Sequence, residues 1–443
     1  MVEQQGRAGL WSRRGALGLA VVGSSLFLGG CVGDSPPAPR PLGSMRAAGR
    51  DAAGQILYWN QFTGADERSG FEAVHNGFEK TYPELELHTE AIPNTDFITK
   101  YTTAVQSESV PDTVMVQVNR FNDMHAMRGL VDITNAVRGW DGYRQIPEKL
   151  LTPFVRNDRL FALPSAVFVD WMYYRKDWLE AAGIDAPPTT WNEFRQVAKA
   201  ITDPAKKRYG FGMRGGDGGG EALIKLIRSY GGPLVGPEGE PRLTKESVGD
   251  ALQDYSATYV VDKSVPPSAP GDGYNQVFQS FLTGRTGMLF HHTGSMRSVM
   301  AALKPGKQVM TAPMPNKDMG WVVPMGNGMM SDDHAAESLA WLEYWASPRP
   351  QLDFFAATGY YPAAGPAQHD PAVTGVELVP AARRQFEIGI TPEYFIGYDS
   401  WTQHSVLVQL QAVLVGRTSV SEAADVVLAD FQKNFDSGGS AKS

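Results

Sequence analysis

The sequence predicts an α/β fold arranged as two large lobes, on three observations. The chain has 443 residues, too many for one ordinary domain. Short apolar strands alternate with amphipathic helices from residue 55 to residue 118. Apolar residues make up 42% and charged residues 20%, and 20 Phe, 16 Tyr and 10 Trp supply the surface for a large core.

The alternation starts with a short strand at residues 55–59. A helix follows, with Phe71, Val74, Phe78 and Tyr82 on one face, and Pro83 ends it. Leu85, Leu87, Thr89 and Ala91 alternate as a second strand. A helix over 95–106 and a third strand over 113–118 complete a β-α-β-α-β run. Such a run implies a mainly parallel sheet with helices on both faces. Further strands are expected at 209–213, 287–291 and 308–311. Further helices are expected at 191–202, 221–230, 245–260 and 335–345. Val420, Ala423, Ala424, Val427, Leu428, Phe431 and Phe435 form one stripe of a C-terminal helix.

The net charge is −8 and there is no basic run, which argues against nucleic acid as a partner. The single cysteine, Cys31, excludes an intrachain disulfide and a cysteine-rich zinc site. Its setting points elsewhere. Arg7, Arg13 and Arg14 precede an apolar, charge-free run over 16–28, too short to span a bilayer and suited to a secretory signal. Leu28-Gly29-Gly30-Cys31 resembles the lipobox of bacterial lipoproteins, in which Cys31 carries the lipid. Ser12-Arg13-Arg14 resembles a twin-arginine export signal, with Ala16 where such signals usually carry Phe. Residues 1–30 are therefore expected as a signal peptide. Residues 31–53, rich in Pro and Gly, are expected as the lipidated cysteine and a flexible tether.

Catalytic motifs are sparse. HExxH, GxSxG and the Walker A pattern are absent. Residues 210–215 match GxGxxG, but within an expected strand rather than after one, which argues against a dinucleotide site. His291 and His292 are adjacent on an expected strand. They should point to opposite faces and cannot chelate one metal, so one is expected in the core and one at a surface or cleft. Asp332-Asp333 reads as an N-cap pair before the helix at 335.

Several segments, in order, resemble the family 1 extracellular solute-binding proteins of ABC transporters, the carbohydrate-binding group. Tyr58-Trp59-Asn60 and the helix ending at Pro83 resemble the family's opening strand and helix. Residues 111–114 resemble its PDV strand, and residues 129–133 its GxLxxL segment. Residues 173–183, YYRKDWLEAAG, resemble YYNKDLFEKAG, and residues 187–194, PPTTWNEF, resemble PPKTWDEF. Residues 281–288 resemble FxxGKAAM. Ser347-Pro348 followed by Gly359-Tyr360-Tyr361-Pro362 resembles the later TSPE and GxxP blocks. The chain departs from the pattern at Arg175, where Asn is usual, and over 322–330, which is rich in Met. Trp321 stands near the family's Gly-Gly-Trp turn.

The resemblance implies a periplasmic-binding-protein fold. Its two lobes, each a mainly parallel sheet flanked by helices, are joined by crossing segments with the sugar in the cleft between them. Crossings are expected near 164–168, 312–315 and 347–355. That assigns 54–165 plus 313–350 to the first lobe and 166–312 plus 351–443 to the second. No cofactor or metal is implied. The expected partners are a carbohydrate ligand, the permease subunits of an ABC transporter and a membrane held through Cys31, with the protein a monomer in the cell envelope.

A pyranose offers apolar faces and a ring of hydroxyls. It needs aromatic plates and paired hydrogen-bonding groups. In the first lobe the candidates are Trp59, Asn60 and Gln61 after the first strand, Asn94 and Asp96 after the second, and Asn119 after the third. All lie at carboxyl ends of parallel strands. The second lobe offers Asp170 and Trp171 beside the first crossing. Arg214, Gly216 and Asp217 lie in a glycine-rich loop, and His292, Gly294 and Ser295 follow the strand at 287. Trp321, Tyr361, Tyr398 and Trp401 are the later aromatics. Arg214 and His292 together hint at an anionic group on the ligand. The competing expectation is an anchored carbohydrate-active enzyme working with two carboxylates. The ordered motifs and the missing catalytic constellation favour binding over catalysis.

Overall fold

The computed structural model describes residues 41–236 and 239–436. Cys31, the expected signal peptide and the start of the expected tether lie outside the described residues. Residues 41–53 belong to the folded body rather than to a flexible tether. The Leu42 N–H donates to Asp132 O at 3.2 Å and the Ala48 N–H to Ala336 O at 2.8 Å, while Leu42, Ala47, Ala48 and Ala52 pack on the core. Apolar side chains at these positions give the segment something to bury, which the Pro and Gly content obscures.

The first lobe begins β1 (Gly54–Asn60), α1 (Ala65–Thr81), β2 (Leu85–Ala91), α2 (Phe97–Gln106), β3 (Thr113–Gln117), α3 (Val118–Ala126). β1 pairs in parallel with both β2 and β3, as the alternating pattern requires. α1 buries Phe71, Val74 and Phe78 on one stripe. The Phe71 and Phe78 rings join Tyr58, Phe62, Trp341, Trp345 and Phe354 in an aromatic cluster with centroids 5.0–6.3 Å apart.

The hinge rests on a strand that the sequence reading took as a crossing followed by a motif. β4 (Leu163–Arg175) is a single 13-residue strand. Its first half pairs antiparallel with the later strand Val322–Met329. Its second half leaves that partner and pairs with two strands of the second lobe. One continuous strand thus carries the chain from lobe to lobe.

The second lobe adds α4 (Trp191–Ala200), β5 (Tyr209–Phe211), α5 (Gly219–Gly231), α6 (Lys245–Val260), α7 (Tyr274–Leu282), β6 (Thr286–His292) and β7 (Val309–Ala312). α4 starts at a capping box: Thr190 Oγ1 accepts the Glu193 N–H at 3.2 Å, and Glu193 Oε2 accepts the Thr190 N–H at 3.2 Å. Here the sheet is mixed rather than mainly parallel. β5 and β6 are parallel, but β4 runs antiparallel to both β6 and β7. The crossing strand enters from the other lobe, so its direction is set there.

β8 (Val322–Met329) returns to the first lobe between β3 and β4. The resulting order is β2-β1-β3-β8-β4-β6-β5, with β7 also on β4. α8 (Ala335–Ala346) and α9 (Pro348–Thr358) follow, and α10 (Val420–Asp436) closes the chain. α9 corrects the expected boundary at 350. It packs on α1 so closely that a Cβ at Gly70 would stand 2.7 Å from Thr358 and 2.9 Å from Phe354. The Tyr360 hydroxyl also donates to Glu67 Oε1 at 2.8 Å, so the chain stays with the first lobe through that residue. The N-cap of α8 is His334, not the Asp332-Asp333 pair; its Nδ1 lies 2.9 Å from Asp112 Oδ1. Among the described residues no helix is long and apolar enough to cross a membrane.

Candidate functional site

A cavity of about 820 Å³ opens where β4 passes between the lobes. Asn94, which follows β2, and Asn119 and Arg120 at the start of α3 line one wall. These are carboxyl ends of parallel strands, where open α/β sheets leave room for ligands. The opposite wall carries Asp170 from β4, Arg214 after β5, Lys225 from α5, Tyr274 from α7 and the His291-His292 end of β6. Tyr394, Tyr398 and Asp399, from the segment before α10, meet both walls.

Polar contacts tie that segment to the first lobe. Asn119 Nδ2 donates to Asp399 Oδ1 at 3.2 Å, and Arg120 Nε lies 3.7 Å from Asp399 Oδ2. Arg120 also donates to Gln61 Oε1 at 3.1 Å and to Asn94 O at 2.8 Å. Burial holds the Asp399 carboxyl above the usual range, opposed by Asn119 and Arg120.

Asp170 is the fixed point of the floor. Its N–H donates to Trp321 O at 2.9 Å, and its Oδ2 accepts the Trp321 N–H at 3.3 Å. The same oxygen accepts from Lys225 Nζ at 2.6 Å. Burial raises the carboxyl above its ordinary value, and Lys225 pulls it back. Lys225 Nζ also stands 4.9 Å over the Trp321 ring.

His292 sets the polarity of its neighbour. Its Nδ1 accepts the Gly294 N–H at 3.1 Å, so in the neutral ring Nε2 carries the proton. Nε2 lies 3.0 Å from the Tyr274 hydroxyl. Burial, then Arg214 and Lys225, push the imidazole down to about 3, so it is neutral at physiological pH. The Tyr274 oxygen therefore accepts from His292, and its own proton is left to donate. His291 is 4% exposed, ringed by Tyr274 and Phe278. The His292 backbone is near, but neither His291 ring nitrogen has a well-formed hydrogen bond. The two rings were expected on opposite faces. Both instead line the cavity with centroids 4.8 Å apart, because the strand ends there.

Of the residues singled out from the sequence, Asn94, Asn119, Asp170, Arg214, Asp217, His292 and Tyr398 line this cavity. The others lie outside its lining. Trp59 is packed under Lys100, whose Nζ is 4.5 Å from the ring centroid. Asn60 Oδ1 accepts the Phe62 N–H at 3.0 Å and shapes a turn, and Gln61 holds Arg120. Asp96 is the exposed residue before α2. Trp171 is fully buried against Tyr173, at 5.1 Å. Trp321 is fully buried beneath Lys225, and only its backbone serves Asp170. Tyr361 sits beside Phe386 at 5.5 Å. Trp401 is core: its Nε1 donates to Val427 O at 3.1 Å and its ring meets Phe395 and Phe431. Gly216 is seated on the backbone of residue 271, and Gly294 and Ser295 brace His292 from behind. The large aromatics were drawn into the core because each buries more area there than a cleft wall could cover.

Sequence reading missed Arg120, Lys225, Tyr274, Tyr394 and Asp399. Lys225 follows Glu221 by one helical turn, 3.7 Å away, a spacing that reads as a solvated pair. Tyr274 gives no local signal, because only its place at the start of α7 aims it at His292. The GxGxxG match is a packing feature. A Cβ at Gly210 would fall 1.9 Å from Ala198 O, and one at Gly215 2.4 Å from Ala269 O. Among the described residues no cluster of His, Cys, Asp and Glu could hold a metal.

Residues 63–352 match the family of bacterial extracellular solute-binding proteins. A chain of Brucella abortus, named only as a binding protein, is 26% identical over 49% of this chain and 53% of its own length. The match thus spans about half of that relative. The mannitol-binding protein of Pseudomonas aeruginosa is 31% identical over 30% of this chain and 33% of its own. The GacH receptor of Streptomyces glaucescens, solved unliganded and with acarbose, superposes with a TM-score of 0.77. It is 19% identical, and the superposition covers 86% of this chain and 98% of that one. That likeness shows a two-lobed binding-protein fold.

Proposed function

Since the chain belongs to the bacterial extracellular solute-binding proteins, we propose that it captures a carbohydrate, an oligosaccharide or glycoside, in the interlobe cleft and delivers it to an ABC permease for import. One observation carries this reading. Polar side chains of both lobes and of the 394–399 segment converge on one cavity that also has aromatic walls at Phe168, Tyr274, Tyr394 and Tyr398. Such a lining offers plates for sugar faces and fixed donors and acceptors for hydroxyls. Relatives named for mannitol and arabinooligosaccharides, and a structural neighbour solved with acarbose, support a polyhydroxylated ligand.

The ligand contacts fall to Asn94, Asn119, Asp170, Arg214, Asp217, His292 and Tyr398, joined by Arg120, Tyr274 and Asp399. The body works outside the cytoplasm as a monomer, held to the membrane by lipid on Cys31, after export by a signal of the twin-arginine kind. Thermal melts across a glycan panel, with chromatography of the recovered sugar, test the reading. A saturable rise in Tm with unchanged sugar is expected. Turnover of the sugar would make the protein an enzyme, and no shift with any glycan would remove the carbohydrate reading.

A further inference from the structure

Arg214 lines the cleft without a counter-ion. Among the described residues no carboxylate lies within 4.0 Å of its guanidinium. The other cations of the cavity are matched: Lys225 with Asp170 at 2.6 Å, and Arg120 with Asp399 at 3.7 Å. Glu221 is turned to Lys225, and Asp217 is exposed at the rim. Arg214 is not a loose surface side chain. Its carbonyl accepts the Tyr255 hydroxyl at 3.1 Å, and its guanidinium carbon stands 5.0 Å over the Tyr274 ring.

The phenol beside it is a donor. The Tyr274 oxygen is occupied by His292 Nε2–H, which leaves the phenol proton to point at a ligand. His291, 4% exposed, backs the same wall with both ring nitrogens shut away from it. A partly buried wall that sets a phenol donor beside an unmatched guanidinium is a poor fit for a neutral hydroxyl, which gives as well as accepts. It fits an acceptor-only, charged group. Partial burial strengthens the pairing, because it reduces screening by water.

We infer that the carbohydrate carries an anionic substituent, a carboxylate or a phosphate ester, seated against Arg214 and Tyr274. This rests on the carbohydrate reading of the cleft and narrows it.

The test uses calorimetric titration of the folded body with matched probes: neutral hexoses, the corresponding uronates and the corresponding 6-phosphates. In at least one set an anionic member should bind about 10- to 100-fold tighter than its neutral parent. Arg214→Gln should erase that preference, and Tyr274→Phe should reduce it. Arg349→Gln, an exposed change outside the cleft, should leave it intact. A uronate-only or a phosphate-only preference identifies which substituent the wall accepts. Neutral hexoses binding as tightly as their anionic partners would overturn this inference and leave the carbohydrate reading standing. An anion preference that survives Arg214→Gln would also overturn it. Failure of every neutral and anionic glycan would overturn both. An unliganded melt of each variant, expected within a few degrees of the parent, separates lost contacts from lost folding.

Discussion

Lys225 Nζ stands 2.6 Å from Asp170 Oδ2 in the floor of the cleft, with both side chains largely out of water. Asp170 is therefore part of the scaffold as well as of the cavity wall. Its carboxylate neutralises a buried ammonium and also accepts the N–H of Trp321, on the chain segment leading back to the first lobe. Breaking one half of a buried pair leaves the other charge uncompensated, which costs more than the pair contributes.

Asp170→Ala is accordingly expected to lower the stability of the unliganded protein by about 3–5 kcal/mol. Adding Lys225→Met should recover most of the loss, since the stranded charge is gone. Urea unfolding of the two variants checks this. Equal stability of Asp170→Ala and the parent would place the pair in well-hydrated surroundings instead.

Trp59 reads from sequence as a plate for a sugar ring, and it packs away from the cavity lining. Trp59→Ala should cost about 3–5 kcal/mol of stability through the cavity it leaves. At a temperature where the variant is folded, its ligand affinity should stay within about twofold of the parent. A stable variant with weak binding would return Trp59 to the site.

Glu343, on α8, is pushed up to about 7 by burial alone. A carboxyl whose folded value is raised binds its proton more tightly when folded. Its contribution is thus fully present below the unfolded value and is lost as pH rises through about 7. Because part of the group meets water, the effect is on the order of 1 kcal/mol. Glu343→Gln should flatten the dependence of Tm on pH between about 5 and 8 and should exceed the parent at the alkaline end. Identical pH profiles for the two proteins would refute the assignment.

The anchoring proposal is tested at Cys31. Cys31→Ala should shift the protein from the membrane fraction to the soluble fraction or leave an unprocessed precursor, because the lipid has no other cysteine to occupy. A processed variant that still partitions into detergent would contradict it.

Much of the alternating framework is legible because each element shows one face to the core. Leu85–Ala91 and Lys245–Val260 occupy the residues their patterns predict. β4 and β8 are not legible, for different reasons. β4 is buried or nearly so along its whole length, so it shows no alternation. β8 carries Pro324, Gly326 and Gly328, which read as breakers. The glycines are there because a Cβ at either would come within 2.6 Å of a carbonyl, of Leu163 or of Phe161. Strand ends place Asn94 and Asn119 at the cavity, since the fold fixes where loops emerge. Side chains delivered by helices, such as Lys225 and Tyr274, depend on how α5 and α7 are docked, and no local pattern encodes that.

Carbohydrate binding in this cleft is tested by titrating a matched glycan into the parent and into Ala222→Trp. Ala222 lines the cavity from α5, and an indole there would fill space the sugar needs. One site per chain is expected in the parent, with a loss of at least about 100-fold in the variant and unliganded melts within a few degrees of each other. Equal affinity in the two proteins would place the sugar outside this cleft.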